Sequence, residues 1–443
     1  CNTSVGTEAL RCNTTGCYNT AIGRAALRSQ TTASNNTAVG YTAGVCNTTG
    51  CCNTGVGGGA MALNTTGIRN VALGYQSLYY NLTSSNNVAI GTRASCSNTT
   101  GSQNIAIGTE SLCANTEGSC NVAIGYLALK KNTTGKRNMA IGRIALCSNT
   151  SGDYNIAVGD RAMLANTTGC CNVGIGALAT RCQTTGCYNV GIGICSLFAN
   201  LTSTNNTGIG AFALKCFTTG NNNTAIGRSS LCSTTEGTQN TAVGANSLIC
   251  NTTGSYNTAL GYSAGRCLTT GYENVTVGWC SGYKLCEALR NTYVGAYAGR
   301  DTTCGGSYNT FIGRSAGQGN TSGYCNVAMG YLALTTNTTS IGSVAIGAEA
   351  LNQQTAANYN TAVGYRAGRD ITTGCGNTAI GQDALTNTTT ANYNEALGAS
   401  ALAYNTTGSG NQAFGHAANF CNTDGINNVG IGHKANFGNC SGD

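Results

Sequence analysis

Proline is absent from this 443-residue sequence and charge is scarce: Asp, Glu, Lys and Arg make up 8% of it, against about 25% in an ordinary soluble domain. No apolar run approaches the ~18–20 residues of a membrane-spanning helix, so insertion into a bilayer is not expected. Histidine occurs twice, at His416 and His433, and the 15 carboxylates are dispersed. No nucleophile elbow or phosphate loop appears, so an enzyme is not expected and no catalytic residue is assigned. The 22 Lys and Arg stand singly along a chain of net charge +7, which gives no basic patch for nucleic acid.

Low charge with regularly spaced Ile, Val and Leu also excludes a disordered chain, whose signature is high net charge and few β-branched residues. What fills the sequence is a repeat. Taking the Asn of Asn-x-small-apolar-Gly as position 1, anchors recur every 17 residues from Asn2 to Asn291. After one inserted residue they continue from Asn309 to Asn428, giving 26 repeats in which Ser343 is the one anchor that is not Asn. Position 5 is always Gly, position 4 always apolar and position 8 always Ala or Ser. The consensus N-[TV]-A-[IV]-G-x-x-A-L-x-x-N-T-T-G-x-N leaves no room for a separate catalytic domain.

Gly at positions 5 and 15 and Thr at 13 and 14 break any helical period, and positions 2 to 4 alternate as a strand does. A second short strand is expected over positions 7–11, with N-T-T-G closing the coil as a turn. The expected fold is an all-β parallel β-solenoid or β-roll, one coil per 17-residue repeat, forming a single domain over 1–443 with an irregular coil near 274–311. Stacked at ~4.8 Å, 26 coils would make an elongated rod of about 125 Å. Two core arrangements stay open: small residues at 3 and 8 inward with 2 and 4 outward and buried between chains, which is the favoured one, or 2 and 4 inside a fatter single chain.

The string N-x-A-[IV]-G-x-x-[AS], as in Asn19 to Ala26, Asn121 to Ala128 and Asn360 to Ala367, resembles the head repeats of trimeric autotransporter adhesins of the YadA type. The longer form beginning at Asn257 is similar to repeats of phage and viral fibre proteins. The resemblance implies a left-handed parallel β-roll, three chains wound together, and an adhesive cell-surface role.

Particular residues carry further expectations. Asn19, Ile22, Gly23 and Ala26 exemplify the structural ladder, with the Asn side chains bonded coil to coil. Position-12 turns include N-x-[ST] sequons at Asn13, Asn47, Asn64, Asn81, Asn98, Asn132, Asn166, Asn251 and Asn405, candidates for glycosylation of a subset. Of the 26 cysteines, eleven fall at positions 10 or 11 and ten at 16 or 17. Same-position cysteines on neighbouring coils, Cys96 with Cys113 and Cys250 with Cys267, would stand one rung apart, within disulfide reach. Cys12/Cys17, Cys46/Cys51 and Cys182/Cys187 could close turns within one coil. Crosslinks are favoured over metal, since no C-x-x-C pair occurs and the two histidines lack a third ligand; no cofactor is expected. So many thiols favour an oxidising setting outside the cell.

Near the insertion, Tyr293 and Phe311 replace the small residue of position 3, and Trp279 to Arg290 loses N-T-T-G. This marks a kink, ligand spot or lateral contact, against the plainer reading of local repacking. The sequence opens on Cys1 and carries no polar cap at either end, so copies stacked end to end and an excerpt from a longer fibre are both expected readings. The functional expectation is a structural fibre or filament protein at a cell or virion surface, with adhesion to a receptor or glycan. Its partners would be copies of itself, as a homotrimer or an end-to-end filament. The alternative is an ice-binding or other ligand-binding solenoid using the paired threonines of the turn, such as Thr14 and Thr15.

Overall fold

The computed structural model describes residues 1–438 and 440, in two compact units, Cys1–Asn221 and Asn222–Asp443. Each is a parallel β-solenoid. The first carries thirteen three-residue strands, β1 (Thr3–Val5) and β2 (Thr20–Ile22) through β13 (Thr207–Ile209). The second carries thirteen more, β14 (Thr224–Ile226) through β26 (Val429–Ile431). No helix occurs among the described residues.

Within each unit successive strands pair in parallel and in register, Thr3 with Thr20 and Ser4 with Ala21 in the first, Thr224 with Thr241 and Ala225 with Ala242 in the second. The exact period makes this register unavoidable: a slip by one residue would send every position-3 Ala to solvent and every position-4 aliphatic inward. Gly at position 5 is required twice over. Gly23 has φ +125°, and a Cβ there would lie 2.5 Å from the Gly40 carbonyl oxygen of the next coil, so any side chain would clash with backbone as well as strain its own.

The facing found is small residues inward and positions 2 and 4 outward. Ala21, Ala72 and Ala140 at position 3, and Ala26, Ala94 and Ala145 at position 8, are fully buried, while positions 2 and 4 stay part-exposed. The alternative with 2 and 4 inside is thereby overturned. The interior is larger than a seam of Ala, Gly and Ser, because the Leu of position 9 also points inward: Leu78, Leu112, Leu129 and Leu146 have no exposed surface.

The second strand expected over positions 7–11 does not form. Linked turns take its place, with left-handed φ at positions 7 and 9, as at Ala25 (57°) and Leu27 (49°). Such a φ costs an L-residue about 1–2 kcal/mol. Each turn closes locally, Ala26 N–H to Gly23 O and Arg28 N–H to Ala25 O. The change of φ sign also turns successive amides toward opposite neighbours: Ala25 donates to Thr7 O of the preceding coil and Leu27 to Ala43 O of the following one. Backbone pairing between coils thus continues through a segment that is not a strand.

Candidate functional site

Two columns of buried amides run along the coils. At position 1, the backbone N–H of Asn36 donates to Asn19 Oδ1 at 2.9 Å, while Asn36 Nδ2 donates to Gly50 O across its own coil at 2.9 Å. This is the expected ladder, although its main rung is backbone to side chain. Sequence reasoning missed the second column, at position 12. There Asn64 Nδ2 donates to Asn47 Oδ1 at 2.8 Å and to Gly67 O at 3.1 Å, and Asn115, Asn132 and Asn149 repeat the pattern.

The sequon asparagines stand in that column. Asn47, Asn64, Asn81, Asn98, Asn132, Asn166, Asn251 and Asn405 are all buried, and their Nδ2 atoms, where a glycan would attach, donate to interior acceptors. Asn13 is part-buried with Nδ2 on Gly16 O. A glycan at any of the eight would have to fill the space of the interior turn. Of the ladder residues named from sequence, Asn19 and Ala26 are inside and Ile22 faces outward at 39% exposure.

Cys12, Cys17, Cys46, Cys51, Cys96, Cys113, Cys182, Cys187, Cys250 and Cys267 are free thiols in the structure. Cys96 and Cys113 do meet, both buried at position 10 of adjacent coils. The neighbouring Cys113 thiol and the Arg93 guanidinium lower Cys96 to about 6, while Cys96 and burial push Cys113 up. Cys250 and Cys267 share position 11 of adjacent coils, and burial raises the Cys250 thiol. Cys187 approaches Cys170 of the preceding coil, Sγ to Sγ 2.9 Å, and not Cys182 of its own coil. The one disulfide among the described residues, Cys286–Cys304, has Cα atoms 5.1 Å apart. It eluded sequence reasoning because its members sit at positions 13 and 14, and only the inserted residue brings that pairing about.

The irregular coils show local repacking. The extra residue is absorbed in the turn at 303–306, so that Asn291 Nδ2 reaches Gly306 O fifteen residues on, and strand register resumes with Tyr293 opposite Phe311. Both rings are fully buried and stacked, centroids 5.0 Å apart. They occupy the space that Leu takes at position 9 elsewhere. Position 9 is Gly in both coils, and a Cβ on Gly299 or Gly317 would lie 2.5 or 2.4 Å from the ring. Tyr293 Oη donates to Thr302 Oγ1 at 3.1 Å, Thr302 standing where most coils have the position-12 Asn.

On the outside of the coils that lead up to this point lies a surface groove of about 480 Å³, bordered by Tyr262, Arg266, Tyr283, Lys284, Arg300 and Asp301. Lys284 Nζ and Arg300 Nη2 both pair with Asp301, at 2.8 and 2.7 Å. Burial alone would raise the Asp301 carboxyl, and these two donors reverse it to below its usual range. At the far end of the second unit His416 and His433 stack with ring centroids 5.2 Å apart. No group of three or more His, Cys, Asp or Glu suited to a metal occurs among the described residues. No helix among them is long and apolar enough to cross a membrane.

Comparison with protein-family models gives no match for this chain, and a search of curated proteins finds no relative. The fold, a parallel β-solenoid of 17-residue coils, is therefore the level at which it is classified.

Proposed function

We propose that this chain is a non-enzymatic structural protein, the shaft of an extracellular or virion-surface fibre built with further copies of itself. The observation that carries the reading is the outward stripe of positions 2 and 4. Ile22, Ile105, Met139, Ile156, Ile175, Ile226 and Ile380 each keep 37–40% of their surface in water. At roughly 50 Å² per apolar position, one unit exposes on the order of 1,000 Å², above the few hundred a soluble monomer tolerates and near the ~800 Å² per partner of a stable interface. A second copy is the natural cover, because it carries the same spacing and side chains row against row and brings almost no charge to desolvate.

Other features fit a load-bearing role. Two amide columns and continuous backbone pairing resist local opening, and stacked thiols offer crosslinks in an oxidising setting. The likeness to adhesin head repeats and viral fibre repeats supports the same reading, with three chains as one arrangement. The ice-binding alternative draws less support: Thr14, Thr99 and Thr133 at position 13 donate their hydroxyls to carbonyls of the next coil, which takes them from any array offered to water.

Sedimentation of the intact chain tests the proposal against a variant carrying Ile105→Lys, Ile156→Lys and Ile175→Lys. The chain should sediment as multimers and the variant as monomers with an unchanged circular dichroism spectrum. A wild-type chain that stays monomeric at all concentrations sinks the reading.

A further inference from the structure

The groove on the irregular coils combines features that the regular coils do not. Three cations, Arg266, Lys284 and Arg300, face one carboxylate, Asp301, so the groove is positive in a chain with little charge of either sign. The cations are held in place. The Arg266 guanidinium lies over the Tyr283 ring at 5.3 Å and donates to its Oη at 2.8 Å, and Arg300 lies over Tyr297 at 5.6 Å. Arg266 has no carboxylate partner among the described residues.

Tyr262 and Tyr283 line the groove, and Trp279 precedes the lining residue Cys280. Tyr262 and Trp279 occupy position 6 of successive coils and are 53% and 50% exposed; Trp279 packs on Tyr297, centroids 4.7 Å apart. Neutral polar side chains, Asn246 and Ser263, complete the rim. The last two coils of the groove are tied together by the Cys286–Cys304 disulfide, and the last of them is stacked through buried Tyr293 on Phe311 of the next coil, so this end of the groove sits on a stiffened segment.

We propose that this groove binds an acidic saccharide, a sugar chain with one carboxylate per residue. Half-exposed aromatic rings supply flat apolar faces for the C–H side of a pyranose. Arg266 supplies an unpaired planar cation for a carboxylate, and Asn246, Ser263 and Asp301 supply partners for hydroxyls. Asp301 decides against a dense polyanion: a carboxylate within the groove repels closely spaced sulfates or phosphates, yet it can accept from a sugar hydroxyl. The groove's open, shallow form suits a chain lying across the surface. The proposal goes beyond the shaft reading and does not depend on it.

Trp279 is the single tryptophan of the sequence and gives a built-in reporter. Trigalacturonic acid titrated into the full chain should change its fluorescence saturably, with calorimetry giving the same affinity. The fully methyl-esterified trisaccharide should bind at least tenfold more weakly, and Arg266→Gln and Lys284→Gln should each weaken the acid form while leaving circular dichroism unchanged, the first by tenfold or more. Sodium sulfate at matched ionic strength should not displace the sugar. Absence of binding, equal affinity for the ester, or an unchanged Arg266→Gln would overturn the proposal. Displacement by sulfate would reduce the groove to a simple anion site and overturn the saccharide assignment. Loss of self-association with sugar binding retained would refute the shaft reading alone.

Discussion

The exchange of bulk between positions 3 and 9 lends itself to a double-mutant cycle at Tyr293 and Gly299. Tyr293→Ala removes a fully buried ring, and truncations of large buried aromatics cost about 3–5 kcal/mol. Gly299→Leu alone forces a side chain to where its Cβ would meet the Tyr293 ring at 2.5 Å, an overpacking of about 1–3 kcal/mol or more. The double variant recreates the Ala and Leu pair that fills the interior at Ala140 and Leu146. Gly299 already has φ +55°, close to the 51° of Leu146, so the new Leu meets no fresh backbone strain. The double variant should lie within about 2 kcal/mol of wild type, which requires a favourable coupling of at least about 2 kcal/mol. Stability in a stacked repeat is largely a nearest-neighbour property, so hydrogen exchange of the amides at 293–299 in the intact chain is the fitting assay. Additive effects of the two substitutions would refute the claim that the ring occupies the leucine's place.

Asn115→Ala should cost about 1–3 kcal/mol in local exchange, since it takes the donor from Asn98 Oδ1 and an acceptor from Asn132 Nδ2 in a buried column; an exposed turn residue would show almost none. Burial raises the Tyr293 phenol, and its bond to Thr302 only partly offsets that. The unfolded chain releases this proton above pH ~10 while the folded chain keeps it, so the stabilising contribution is full below ~10 and lost as pH rises beyond it. Exchange protection of wild type relative to Tyr293→Phe should therefore fall between pH 9 and 11.5, and a flat difference would contradict the burial. Mild oxidation with excess oxidised glutathione should crosslink Cys170 to Cys187 and leave Cys182 alkylatable, which peptide mapping reads directly.

The parts of the fold legible in the sequence are those that the repeat states through side-chain type. Invariant Gly at 5, small residues at 3 and 8 and the position-1 Asn have one arrangement that satisfies all of them, and the strand at 2–4 follows. The segment at 7–11 was misread because residues such as Glu8, Leu10 and Ala25 give no sign that they adopt positive φ (63°, 52° and 57°). The signal available was Gly44, Gly265 and Gly368 standing in for Leu at position 9, as a left-handed site permits. The buried column of Asn64 and its equivalents was not legible because N-T-T reads equally as a sequon and as a turn, and the two differ only in burial. The groove depends on Arg266, Lys284 and Arg300 meeting across three coils, which spacing alone does not single out.

Cryo-electron microscopy of the intact, untreated chain tests the central claim most directly. Fibres of several laterally packed chains, with an axial periodicity near ~4.8 Å and the Ile105, Ile156 and Ile175 face buried between copies, are the predicted result. Single, separate chains with that face open to solvent at every concentration would contradict it.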